Sequence, residues 1–346
     1  MNTQLKHTKK ITAVLAALMI ILIALICLLS SGCSYTIKYD YIEYEGGEGY
    51  YVVKASGYVS SLKGELVIPS TYGEGDKEAP VKEIADEGFR GSGITRLVIP
   101  RTITKIGTAA FANCDLLLEV EFEEGIQIEE IPQGMFGFDS SLREITIPET
   151  VKTIGFRAFY GCTSLSTVTL PQNLKKIGEN AFEECAALSD ISLPDGLESI
   201  EMLAFYFSGI KEIVIPDSVQ ELGYGAFHTC RKLKKAVVGK GIEVIKAGVF
   251  GFCDNLEEIY IPLSVTKIEG IYMNGEKFVS GHAFHNCSSL KVINYEGTAV
   301  QWTQIDINNE GYVSKNGASY NNNSLFKSDD NTKLNIYYNK SYTAQA

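Results

Sequence analysis

The sequence predicts a mainly β solenoid, a right-handed superhelix of about nine 23-residue rungs with short parallel strands and a β cap at each end. Three columns in one register predict it. The first is a proline closing an L-x-x-I-x-I-P phrase, at Pro69, Pro100, Pro148, Pro171, Pro194, Pro216 and Pro262, with Glu123 and Gly239 standing in. The second is a phenylalanine after a small residue, at Phe89, Phe111, Phe136, Phe159, Phe182, Phe205, Phe227, Phe250 and Phe284. Three places after each Phe stands the third column: Cys114, Cys162, Cys185, Cys230, Cys253 and Cys287, with Ser92, Asp139 and Ser208 in the other rungs.

Composition narrows the class first. The chain has 346 residues, 45% hydrophobic and 21% charged with nine prolines, so it is too apolar to stay disordered and must bury a core. Lys6, Lys9 and Lys10 put +3 in the first 32 residues, so the net charge of −11 becomes −14 without them. That balance excludes a nucleic-acid partner, whose phosphates need a basic surface.

The chain opens with a basic stretch at 6–10 and an apolar run from Ile11 to Leu29 whose polar member is Thr12; Ser30, Ser31, Gly32 and Cys33 follow. This is the plan of an export leader, residues 1–32. Its end resembles the lipobox of bacterial lipoproteins, with Gly32 and Cys33 in place and Leu29 one position further back than that family has it. The resemblance implies a lipid on Cys33; the alternative is an uncleaved signal anchor, since 19 apolar residues reach across about 30 Å of hydrocarbon. Either way the remainder is expected on the outer side of the membrane, at the cell surface.

Residues 33–62 hold the anchor and the N-terminal cap. Tyr39, Tyr41 and Tyr44 precede the turn sequence EGGEG and Tyr50, Tyr51 and Val53 follow it, which predicts a hairpin over the first rung.

Residues 63–289 are the repeats, and a period of 20 to 29 residues carrying L-x-x-I-x-I marks a leucine-rich solenoid. In the rung beginning at Leu142, Ile145 and Ile147 alternate inward along a strand that Pro148 stops. Val151 and Ile154 give a second inward pair before a turn at Gly155, and Phe159, Cys162 and Leu165 close the coil. One rung cannot bury that face alone; stacking at about 4.8 Å per rung does. Two insertions interrupt the period, at 69–80 and 271–281, and loops of a solenoid are where specificity is often placed. Residues 290–346 form the C-terminal cap, with a strand phrase from Leu290 to Tyr295, the single Trp302, a polar stretch at 308–331 and a last strand from Lys333 to Tyr338.

The repeat resembles the BspA-type leucine-rich repeat. The stretches ITRLVIPRTITKIGTAAFANCDL (94–116) and LREITIPETVKTIGFRAFYGCTS (142–164) follow its pattern nearly throughout. VIPSTYGEGDKEAPVKEI (67–84) and YEGTAVQW (295–302) resemble its terminal units. The resemblance implies a surface protein of bacteria or protists that binds other proteins, among them host matrix components or other cell surfaces, without catalytic residues or a cofactor.

The candidate chemistry is sparse. Neighbouring rungs bring cysteines within disulfide range only at Cys162 with Cys185 and at Cys253 with Cys230 or Cys287, so the column reads as a ladder of packed thiols. His282, His285 and Cys287 have metal-like spacing. Yet Phe284 and Cys287 occupy core columns, which turns the two histidines onto other faces and leaves no fourth ligand. No phosphate loop, nucleophile elbow or paired-carboxylate motif stands out.

The outward column four residues before each proline position reads Glu65, Arg96, Glu119, Glu144, Thr167, Asp190, Glu212, Lys235, Glu258 and Val292. Like charges about 4.8 Å apart repel, so this acidic stripe favours a basic partner, or is a solvated face relieved by Arg143, Lys211, Lys234 and Lys291. Glu119, Glu144, Asp190, Glu212, Glu258 and the outward Tyr260 make the candidate partner-binding face. The expectation is a monomeric, non-catalytic, surface-anchored binding or adhesion protein; the alternatives are a passive envelope spacer and a glycan-directed protein.

Overall fold

The computed structural model describes residues 34–43, 49–270, 272–274, 277–280, 282–307 and 334–342. The leader with Cys33, the hairpin tip at 44–48 and the stretch 308–333 lie outside them. Among the described residues no helix is long and apolar enough to cross a membrane.

The rungs stack as the three columns require, and each rung has three sides. The first carries the L-x-x-I-x-I phrase as parallel strands. Lys63–Val67, Gly93–Ile99 and Glu119–Phe122 form one sheet, Glu144–Thr146 and Thr167–Thr169 a second. Glu212–Val214, Lys235–Val237, Glu258–Ile261, Val292–Tyr295 and Asn335–Tyr337 form a third. Alternation does what the sequence predicts: Ile145 and Ile147 are buried while Glu144 and Thr146 are exposed.

The second side differs from expectation. The V-x-x-I-G phrase gives a second parallel ladder of two-residue strands rather than only an inward pair and a turn. It runs through Glu130–Ile131, Thr153–Ile154, Lys176–Ile177, Ser199–Ile200 and Glu221–Leu222. The second residue of each pair, Ile131, Ile154, Ile177, Ile200 and Leu222, sits in the core, and where glycine follows it marks a close approach: a Cβ on Gly178 would stand 2.8 Å from the carbonyl oxygen of Ile154.

The third side is built from turns. Residues two before and two after each Phe from Phe89 to Phe250 adopt left-handed backbone, for example Arg157 and Gly161 around Phe159, or Leu203 and Phe207 around Phe205. Left-handed backbone costs a non-glycine residue about 1–2 kcal/mol. It persists because it aims the N–H of each Phe from Phe89 to Phe250 at the next rung, as from Phe159 to the Ala181 carbonyl at 2.8 Å. All nine Phe rings stack in one file, 5.2 to 6.1 Å between centroids.

The six cysteines among the described residues are free and buried. Each thiol donates to the carbonyl of the Phe one rung earlier, at 2.9 to 3.4 Å. Ser92 and Ser208 take the same place in their rungs, each 3.2 Å from the sulfur of the next.

The N-terminal hairpin joins β1 (Tyr35–Ile42) to β2 (Tyr50–Gly57) antiparallel, and β2 continues the second ladder by pairing with Ala79–Ile84. The first insertion folds back on this cap: Thr71–Tyr72 pairs with Pro80 and Ala79, and the Tyr72 ring stacks on Tyr39 at 3.7 Å. The second contains an antiparallel pair, Tyr272–Asn274 with Lys277–Ser280. At the C-terminal end Thr298 and Gln301 cap a short helix, Ala299–Trp302, that lays buried Trp302 edge-on against Tyr295.

Candidate functional site

The strand side puts parts of the outward column in register. Glu65 stands opposite Arg96, Arg96 opposite Glu119, Glu212 opposite Lys235, and Lys235 opposite Glu258. The relief of its charge comes from a different source than the sequence suggests. Arg96 reaches Glu65, Glu119 and Glu121 together, and Lys235 lies 4.0 Å from Glu258. Arg143, Lys211, Lys234 and Lys291 form no ion pair among the described residues; the neutralising cations belong to the column itself.

The middle of the column is where carboxylates accumulate. The parallel pairing lapses between Glu119–Phe122 and Glu144–Thr146, where the rung from Phe111 to Phe136 is two residues longer than the 23-residue period. An open groove of about 780 Å³ lies there, lined by Glu119, Glu121, Glu123, Glu124, Glu144 and Glu149. Two of these have structural partners: Glu123 accepts the Arg101 N–H at 3.1 Å and Glu149 the Gln172 N–H at 3.2 Å. Glu124 and Glu144 have no ion-pair partner among the described residues and are exposed.

The other predicted residues divide. Asp190 sits in a phrase that forms no strand, its carboxylate 2.6 Å from the Ser189 hydroxyl. Glu212 is exposed in register. Glu258 is engaged by Asn294 at 2.6 Å. Tyr260 is not open: Tyr342 packs against it at 5.3 Å and Lys235 lies over both rings. Only the C-terminal segment brings that cover.

Sequence reasoning missed a second surface on the turn side. The positions one and two after each core Phe carry Tyr160, Tyr206, His228 and His285, and Phe138, Phe207 and Phe252, so the signal was present in the same register. There His228 and His285 flank Phe252 at 5.2 and 5.1 Å, and Tyr206 meets His228 at 5.5 Å. Gly251 makes the room, since a Cβ there would stand 2.9 Å from the His228 ring. Burial, then the neighbouring His285, pushes the His228 pKa down to about 4, and burial lowers His282 and His285 as well. Among the described residues no three His, Cys, Asp or Glu side chains are grouped to hold a metal ion.

A two-ladder parallel stack with a Phe file and a thiol file beneath it defines the class: a leucine-rich-repeat solenoid. The chain belongs to the BspA type leucine rich repeat family, whose model matches in six copies over residues 77–185 and 152–291. A leucine rich cell surface protein from Faecalibacterium prausnitzii shares the fold at 22% identity, over 80% of this chain and 98% of that one, with a TM-score of 0.50. The pneumococcal vaccine antigen PcpA is 18% identical over 90% of this chain and 100% of its own, TM-score 0.43. A leucine-rich repeat protein from Bacteroides ovatus is 20% identical over 81% and 88%, TM-score 0.39. No curated protein matches the chain.

Proposed function

We propose that this protein is anchored at the cell surface through its leader, faces outward, and binds another protein, extracellular or on a host or neighbouring cell, through its strand side. The observation that carries this reading is the groove at the lapse in the strand ladder, where Glu124 and Glu144 stand exposed, without an ion-pair partner among the described residues, beside four further carboxylates. Opposite charge steers and orients a partner more than it adds affinity, so a lysine- or arginine-rich segment fits here. No chemistry is assigned to the site; contact along several rungs supplies the binding.

The Cys33 context and the apolar run support the lipid anchor, and the family resemblance supports the surface location. Lipid on Cys33 predicts a chain that labels with a radioactive fatty acid and loses the label when Cys33→Ala is introduced. The binding test displays the full chain on cells and measures adhesion to a panel of matrix and cell-surface proteins. Glu124→Lys with Glu144→Lys abolishes adhesion if the groove is the contact. Adhesion unchanged by that pair, with the chain present at the surface, removes the groove from the reading. The pairing of Arg96 and Lys235 inside their own column favours a second reading, a passive envelope spacer, and failure of every ligand to bind supports it.

A further inference from the structure

The outer strand of the N-terminal hairpin is an edge with a defined phase. The Ser34 carbonyl accepts the Tyr58 N–H at 3.3 Å, in the register that sets Thr36 opposite Ser56 and Lys38 opposite Lys54. Even-numbered residues of β1 therefore aim their backbone groups at β2. The far side of β2 agrees. Ala55 donates to the Gly88 carbonyl at 2.7 Å and the Val53 carbonyl accepts from Ala85 at 3.1 Å. Their opposites on β1, Ile37 and Tyr39, thus turn N–H and C=O away from β2. Among the described residues no strand pairs with that outer edge.

The edge is complementary to itself. A second β1 laid antiparallel with a two-fold axis at Tyr39 sets Tyr39 against Tyr39, Ile37 against Tyr41, and Lys38 against Asp40 twice over. The outward-facing odd residues exchange hydrogen bonds, and Lys38 and Asp40 fall at the closer pairs, about 4.5 Å between Cα atoms. Moving the axis to Ile37 or Tyr41, which keep the backbone phase, sets Lys38 against Thr36 or Asp40 against Ile42 and loses both ion pairs. The charges that commonly protect an edge strand here have opposite sign two residues apart, so they select one register instead of blocking all of them. Within the hairpin Lys38 faces Lys54, and Asp40 already bridges Lys54 at 2.5 Å; the counterpart Asp40 supplies Lys38 with its own partner.

We propose that β1 is the contact of a symmetric dimer of this chain, paired edge to edge with the axis at Tyr39. The pair takes the place of the single chain expected from the repeat alone. On the anchored reading above, two chains in one membrane hold their β1 strands at the same height just beyond Cys33, which raises their effective concentration; the pairing itself does not depend on that reading.

The test places single cysteines at positions 36 and 39 of the full-length chain and oxidises the membranes that carry it, with the parent chain setting the background from Cys27 and Cys33. Tyr39→Cys is expected to link into a dimer, since its hydrogen-bonded pair stands about 5.5 Å apart, inside the disulfide window. Thr36→Cys, opposite Ile42, stays at background. Adding Lys38→Asp lowers the Tyr39→Cys product about tenfold by setting acid against acid, and Lys38→Asp with Asp40→Lys restores it. Because Tyr39→Cys also removes the stack on Tyr72, the sedimentation mass in detergent of chains with native Tyr39 gives an independent answer: dimer for the native chain, monomer for Lys38→Asp, dimer for the exchanged pair. Equal linking at 36 and 39, linking to a different protein, or a monomeric native chain overturns the proposal.

Discussion

The carboxyl of Asp139 lies in the file of buried thiols, its Oδ1 accepting the backbone N–H of Cys114 at 2.8 Å while Oδ2 has no hydrogen-bond partner among the described residues. Burial pushes its pKa well above the usual carboxylate range, with nearby Asp115 adding to the effect. The folded chain therefore holds a proton that the unfolded chain releases above about pH 4, and the contribution of this group to stability falls as pH rises.

Asp139→Asn keeps the acceptor for Cys114 and removes the charge. It is expected to stabilise the protein at pH 7 by about 1–3 kcal/mol, with the gain disappearing below pH 4. Thermal unfolding of both chains at pH 3.5 and 7 checks this; a variant less stable at pH 7 contradicts it.

The Phe file is continuous, so its centre is the most sensitive place in the stack. Phe182 is fully buried between Phe159 and Phe205, at 5.2 and 5.3 Å. Phe182→Ala opens a cavity and breaks the file, at a cost of about 3–5 kcal/mol. Ala109→Gly should do the opposite, because Ala109 sits at φ 52° and its Cβ fills no core; a gain of about 0.5–1 kcal/mol in urea unfolding is expected.

Burial holds the thiols in their neutral form, with Cys114, Cys230 and Cys287 pushed up to about 12. They should resist a thiol reagent in the native protein at pH 8 and react together on unfolding. Rapid labelling of any of the six in the folded chain contradicts the S–H···O=C ladder.

The turn-side histidines work in the opposite sense to Asp139. A His228 pKa near 4, below the unfolded value of about 6.5, means that its contribution to stability is complete above pH 6.5 and is lost as pH falls toward 4. The groups facing it are His285 across Phe252, Tyr206 and the Thr229 hydroxyl at 2.7 Å. His228→Phe keeps the ring contacts and is expected to flatten that part of the acid dependence, measured by hydrogen exchange in the rungs from 226 to 260.

The repeat and its core were legible in the sequence because each rung buries the same positions against copies of itself. A period-two strand ended by Pro148, a Phe such as Phe159 and a turn residue such as Cys162 recur with no dependence on distant chain, so local pattern determined the solenoid and the register of the outward column. What lay beyond one rung was decided in three dimensions. Arg96 neutralises three glutamates because stacking sets Glu65 and Glu119 on either side of it, and Tyr260 is covered because the chain returns at Tyr342. The groove beside Glu124 and Glu144 arises from a two-residue lengthening that the neighbouring rungs do not share, and β1 stands at the edge of its sheet among the described residues because it is the outer strand of the capping hairpin. A repeated sequence specifies its own stacking; the ends, the lapses and the charge neighbours follow only from where the stacking stops or slips.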